Sequence, residues 1–235
     1  EPKDVQALID VLPGYVKHVT DNPSTLLPHF LGLYSLTLGK DIIWVVVQSN
    51  VFAGYRAIEE RFDLKGAMMG RKASTKEKKK GRQAVLKDLD FLRMNRSFCI
   101  KEDNDRVHFL QRLKTDVKFL QESGLMDYSL IVGFAKDTEE TKNMAMSRHV
   151  VEALRLNPSP DNEDMPYDIA YVGLVDMLMK FGTVKKLEAV FLHSFVGDVS
   201  CLDPKSYGER MIDFFEHVTT TGPVNEHWKE RRLRA

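Results

Sequence analysis

Two acidic residues in this sequence stand where a carboxylate needs an explanation. Asp127 lies in Leu125-Met126-Asp127-Tyr128-Ser129-Leu130, between a helix-periodic stretch and a strand-like one. Asp176 lies in the apolar run Gly173-Leu174-Val175-Asp176-Met177-Leu178. By itself Asp127 also reads as a turn aspartate bonding its own backbone. Asp176 is harder to dismiss, because a carboxylate inside an apolar strand is costly to bury unless a cation or a donor meets it. A metal ion beside a phosphate would serve. Two acids, one beside a nucleophilic hydroxyl and one holding magnesium, are what phosphoryl transfer to an alcohol requires.

A third feature is cationic. The whole chain balances 34 basic against 34 acidic residues, but from Lys65 to Lys87 nine bases (Lys65, Arg71, Lys72, Lys76, Lys78, Lys79, Lys80, Arg82, Lys87) face one acid, Glu77. Such an excess attracts a polyanion: nucleic acid, an anionic leaflet or a polyphosphorylated ligand. The part from Lys76 to Arg82 also reads as a solvated lysine loop. No aromatic residue lies between Phe62 and Phe91 to stack on a base, which argues against nucleic acid.

The elements that must position these residues follow from periodicity. Val5, Leu8, Ile9, Leu12 and Val16 predict an amphipathic helix disturbed near Pro13-Gly14. Phe30 to Leu38 and Ile42 to Val47 predict two strands joined at Gly39-Lys40-Asp41, and Arg56 to Leu64 predicts a third in the same small α+β lobe. Val107, Leu110, Leu113, Val117 and Leu120 mark a long helix with Asp103 near its start and Gly124 just past its end. Ser129 to Phe134 and Tyr171 to Leu178 read as buried strands. The polar stretch between them, 136–168, reads as an insertion whose second half is flexible. Asp203-Pro204 opens a last helix with Tyr207, Met211, Phe214, Phe215 and Val218 on one face.

With 235 residues, 43% of them hydrophobic, the chain can bury the core of one domain or of two packed lobes. Two cysteines, Cys99 and Cys201, without metal-type spacing argue against a disulfide framework and a zinc site, and favour a reducing intracellular setting. The start, Glu1-Pro2-Lys3-Asp4, lacks signal-peptide character, and no apolar run approaches the ~20 residues that span a bilayer, so membrane contact is expected to be peripheral.

Several of these segments together resemble the phosphatidylinositol-phosphate kinases. Met126-Asp127-Tyr128-Ser129-Leu130 resembles that family's MDYSL motif, and Asp63-Leu64-Lys65-Gly66 its DLKG motif, in the same order and at a similar separation. Asn22 to Gly32, Asn50-Val51-Phe52, Lys87-Asp88-Leu89-Asp90-Phe91 and Val172-Gly173-Leu174-Val175-Asp176 extend the resemblance from the first helix to about Val218. It implies an α+β, two-lobed, protein-kinase-like lipid kinase fold with an antiparallel sheet and packed helices. Residues 1–50 would be the remainder of the N-terminal lobe and 51–235 the C-terminal lobe, with a basic loop at 65–87, an insertion at about 136–168 and a specificity loop at about 177–203.

The resemblance also implies an ATP-dependent, magnesium-requiring enzyme acting on a phosphoinositide at an anionic membrane surface. Its setting would be cytoplasmic, on the inner face of the plasma membrane, with a homodimer as an allowed assembly. Asp127 corresponds to the catalytic-loop aspartate that positions or deprotonates the inositol hydroxyl, and Lys65 to a catalytic cation near the transferred phosphate. Asp176 corresponds to the magnesium ligand, Arg71 and Lys87 to cations for the substrate phosphate, and Asn50 to the segment that binds the nucleotide base. Lys185-Lys186-Leu187-Glu188 resembles type I members, which phosphorylate the 4-phosphate at the 5-position, whereas type II members carry alanine where Glu188 falls. Lys185, Lys186 and Glu188 also read as the solvated start of an amphipathic helix with Leu187, Val190 and Phe191 inside. No glycine-rich phosphate loop precedes the first helix, and Ala67 replaces the serine that usually follows DLKG. The alternative is a catalytically weak member that uses the fold as a phosphoinositide-binding scaffold.

Overall fold

A computed structural model describes residues 3–54, 56–138, 153–156, 166–180, 203–220 and 226–234. Helix α1 (Lys3–Asp21) buries Val5, Leu8, Val11 and Tyr15. It runs on through Pro13, near which a disturbance was expected. A proline within a helix costs about 3 kcal/mol, and a four-residue buried stripe at about 1.5–3 kcal/mol per side chain outweighs that. The helix is stapled to the body by Asp116, whose buried carboxylate accepts from Thr25 Oγ1 (2.7 Å) and Leu26 N (2.7 Å) and lies 2.6 Å from His18 Nε2.

Strands β1 (Phe30–Leu38) and β2 (Asp41–Gln48) form an antiparallel hairpin closed between Leu38 and Asp41, with Gly39 supplying φ 64°. The third strand does not join them. β3 (Ile58–Leu64) lies in a five-stranded sheet of order β4-β3-β7-β9-β8, with β4 (Val85–Lys87), β7 (Ser129–Ala135), β8 (Ala153–Arg155) and β9 (Ile169–Val175). The physical reason is burial. Phe62 and Leu64 are fully buried on that sheet, where Phe62 meets Phe91 and Phe134 edge-on at 5.2 and 5.8 Å, while the hairpin leaves Leu31, Leu38 and Ile42 exposed.

The basic segment is built rather than loose: α2 (Thr75–Lys78) is capped by Ser74, a 3-10 turn covers Gly81–Gln83, and α3 (Asp88–Arg93) follows β4 directly. β5 (Phe98–Cys99) leads to α4 (Asp103–Glu122), which ends at Gly124 with φ 66°. Phe109 rather than Val107 enters the core from its first turns. β6 (Leu125–Met126) precedes β7, and β10 (Met179–Lys180) follows β9. α5 (Pro204–Val218), capped by Asp203 as expected, packs on α4; β11 (Thr219–Thr220) and α6 (Glu226–Arg234) close the chain. The stretch 136–168, expected as an insertion, contributes β8, because Leu154 and Leu156 alternate with Arg155 and are buried. Lys185, Lys186 and Glu188 lie outside the described residues. No described helix is long and apolar enough to cross a membrane.

Candidate active site

The site arises where an antiparallel ribbon is interrupted. β7 pairs with β9 up to Ser129↔Val175, and β6 pairs with β10 from Met126↔Met179. Between these two ladders the chain must pass Asp127-Tyr128 on one side and Asp176-Met177-Leu178 on the other. Unequal lengths cannot stay in register, and both acids take left-handed backbone, φ 67° at Asp127 and φ 60° at Asp176. Aspartate tolerates that region better than most side chains, yet two non-glycine residues in it side by side mark a constrained site.

The two carboxylates line one cleft of about 450 Å³, whose other described walls are Asp4, Phe30, Val46, Gln48, Met177 and Leu178. The lining mixes the acids with the apolar side chains of Phe30, Val46, Met177 and Leu178. Asp176 is exposed, not buried in a strand: β9 ends at Val175 and the left-handed turn takes the carboxylate out of the sheet. The expected burial cost is therefore not incurred. Asp127 is 44% exposed at its side chain and is held by Lys65, whose Nζ donates to the Asp127 carbonyl at 2.6 Å and lies 3.0 Å from its Oδ1.

Lys65 itself is placed by Asp88, a fully buried carboxylate. Its Oδ1 accepts from Lys65 N (2.9 Å) and Gly66 N (2.8 Å), and its Oδ2 from Arg71 Nε (2.8 Å). Arg71, expected at the substrate phosphate, also gives Nη2 to the Asp63 carbonyl (2.6 Å) and to Asp63 Oδ1 (2.8 Å). Asp88 takes Nε and Asp63 takes Nη2, so most of the guanidinium is spent in building the loop, and Nη1 is left as the remaining donor among the described contacts. Lys87 ends β4 opposite Asp63, and its ammonium has no ion-pair partner among the described residues. Neither cation lines the cleft. Asn50 does not line it either: its Oδ1 accepts from Phe52 N (2.9 Å) in a local turn, and Gln48, two residues earlier, reaches the cleft instead.

The lysine run is likewise partly spent. Lys78 Nζ sits 2.5 Å from Asp90 Oδ1 and Lys80 Nζ 2.6 Å from Glu77 Oε2, while Lys79 has no such partner among the described residues. Asp90 Oδ2 accepts in addition from Ala73 N (2.7 Å). Burial works against the Asp90 carboxylate, but the Lys78 ammonium and these amides outweigh it and hold its pKa below the usual range. Asp4, Gln48 and Asp88 had no signal as isolated letters. Only Asp88 stood within a quoted motif, Lys87-Asp88-Leu89-Asp90-Phe91.

Asp176, exposed at the cleft and without an ion-pair partner among the described residues, fits magnesium. That ion is usually bound by one or two carboxylates together with phosphate oxygens and water rather than by a full protein cage, and the described residues contain no group of three or more candidate metal ligands.

Comparison with known proteins follows the same lines. The sequence profile of the family described as phosphatidylinositol-4-phosphate 5-kinase matches residues 1–163 and 154–218. A pig phosphatidylinositol 5-phosphate 4-kinase type-2 alpha is 30% identical over 259 residues, covering 93% of this chain and 63% of the relative. The type-2 gamma protein of Xenopus tropicalis is 28% identical over 260 residues, covering 92% of this chain and 61% of the relative. A probable phosphatidylinositol phosphate kinase of Dictyostelium discoideum is 39% identical over 135 residues, 56% of this chain and 18% of that protein. The chain thus spans less than two thirds of the length of these relatives.

Proposed function

Because the chain belongs to the phosphatidylinositol-4-phosphate 5-kinase family, we propose that its parent protein transfers the γ-phosphate of ATP to a ring hydroxyl of a phosphatidylinositol monophosphate at an anionic membrane. The observation that carries this is the meeting of Asp127 and Asp176 in one cleft, with Lys65 bound to Asp127. Phe30, Val46 and Leu178 offer an apolar wall to a purine, and Asp127 is open to an incoming hydroxyl. In the reaction a bond forms between that hydroxyl oxygen and the γ-phosphorus, the bond from γ-phosphorus to the β-bridging oxygen breaks, ADP leaves, and Asp127 takes the hydroxyl proton. Magnesium, when bound, would be held by Asp176 and would neutralise charge on the phosphates. Lys65 fixes the direction of the Asp127 carboxylate, and Lys87, which has no ion-pair partner among the described residues, supplies its ammonium to the substrate phosphate, with Arg71 Nη1 as the second donor.

Glu188 supports transfer to the 5-hydroxyl of phosphatidylinositol 4-phosphate, and the type-2 relatives support transfer to the 4-hydroxyl of the 5-phosphate. Ring orientation decides between them, since a one-position rotation brings a different hydroxyl into line. Membrane contact, through Lys72, Lys76 and Lys79, would place the protein on a cytoplasmic leaflet. The test is turnover of both monophosphates by the full-length protein in vesicles, with the product regioisomer identified. Full activity after Asp127→Asn, or no turnover of either lipid, would refute the kinase reading. Exclusive use of the 5-phosphate would refute the 5-kinase assignment.

A further inference from the structure

At the break between the two ladders, successive backbone carbonyls lose their strand partners, and each still needs a donor. The Asp127 carbonyl receives Lys65 Nζ at 2.6 Å. The next, that of Tyr128, is fully buried and receives the hydroxyl of Tyr207, from the first turn of α5. The residue before Asp127, Met126, is tied to Met179. The backbone on either side of the acid is thereby pinned, at two carbonyls by side chains from remote segments.

Tyr207 is itself rigidly held. Its ring meets that of Tyr128 edge-on at 4.8 Å, and the Arg210 guanidinium lies 4.9 Å above it. α5 is drawn close to α4 at Gly208, where a Cβ would stand 2.5 Å from Gln121 Nε2, and Gln121 Nε2 donates to the Lys205 carbonyl at 2.7 Å. On its other side α5 backs the turn after Lys65: a Cβ on Gly66 would come within 2.9 Å of Met211 Cα. One helix therefore sets both the loop that carries Lys65 and the loop that carries Asp127. Burial, the largest influence, raises the Tyr207 pKa well above that of a free tyrosine, so the hydroxyl keeps its proton and remains a donor.

We propose that Tyr207 is a positioning residue for Asp127, its hydroxyl holding the Tyr128 carbonyl so that the preceding acid keeps its left-handed backbone and its aim into the cleft. The inference rests on the kinase reading for its catalytic consequence. The bond itself is independent of that reading. Tyr207→Phe in the full-length protein keeps the ring contacts and removes only the donor. A comparison variant, Thr25→Val, removes a buried hydroxyl that serves the Asp116 staple and the Leu27 amide and makes no hydrogen bond to this loop. Tyr207→Phe should lower kcat at least 10-fold with KM for ATP within twofold, and hydrogen exchange in the peptide 125–131 should speed at least 10-fold. Thr25→Val should lower the melting temperature comparably while leaving kcat within twofold. Unchanged kcat and exchange in Tyr207→Phe, or an equal loss of kcat in Thr25→Val, would overturn the proposal. A wild-type protein without turnover would instead sink the kinase reading, and the exchange experiment alone would then decide the role of Tyr207.

Discussion

Replacing Asp88 by alanine removes one side chain and strands three donors: the Lys65 and Gly66 amides and the Arg71 Nε, all within 2.9 Å of the lost oxygens. Burial raises the pKa of Asp88 while Arg71 and the amides pull it the other way, but alanine deletes the acceptor in either protonation state. Breaking a buried ion pair costs about 3–5 kcal/mol, and an orphaned buried amide about 1–3 kcal/mol. These terms share one acceptor and do not add. Arg71 also keeps its Asp63 contacts, so we expect a total of about 4 kcal/mol. Against a urea slope near 3 kcal/mol per molar, the unfolding midpoint falls by about 1.3 M. Asp88→Asn, which preserves one acceptor oxygen, should cost about half as much. The assay is urea unfolding followed by circular dichroism and by tryptophan fluorescence in parallel. A loss below about 1 kcal/mol for Asp88→Ala would refute the claim that this carboxylate holds the Lys65 turn.

Other outcomes follow from the same contacts. Gly66→Ala combines a left-handed φ of 68° with an approach of 2.9 Å to the Met211 backbone. It should destabilise by about 2–5 kcal/mol, measured by the same unfolding assay. Asp137 is held below the usual carboxylate range: burial raises its pKa, but Arg56 and Arg155 outweigh it. A depressed folded pKa gives stability that is present above the unfolded value near 4 and lost as pH falls through the folded value. The unfolding midpoint should therefore drop below about pH 4 in the wild type and drop less in Asp137→Asn. Lys79→Ala should weaken binding to anionic vesicles in a salt-dependent way without lowering the melting temperature, whereas Lys78→Ala should lower both, because Lys78 also serves Asp90. Equal melting temperatures for the two variants would dissolve that division.

Read alone, the sequence determined the elements whose signals are local. The helices α1 and α4, the Asp203-Pro204 start of α5 and the Gly39 turn are set by residues within a few positions of one another, and the structure keeps them, although it shifts the buried stripes: Ile9, Leu12 and Val16 of α1 and Val107 of α4 are exposed, while Val11, Tyr15 and Phe109 are buried. Asp127 and Asp176 were also visible, since an acid beside an apolar run stands out against its neighbours. What the sequence could not determine is partnership. Whether Ile58–Leu64 pairs with the hairpin or with β7 and whether Arg71 is left for a ligand or consumed by Asp63 and Asp88 depend on residues between 8 and 77 positions away, and whether Pro13 disturbs its helix and whether Asp176 is buried or open depend likewise on tertiary packing. Strand periodicity says only which face of β3 is apolar, and both sheets could have accepted it; the larger aromatic core decided. The two acids meet for a reason that no window of sequence contains. Two ladders flank the break with unequal chain between them, and the resulting left-handed turns aim both carboxylates into one cleft.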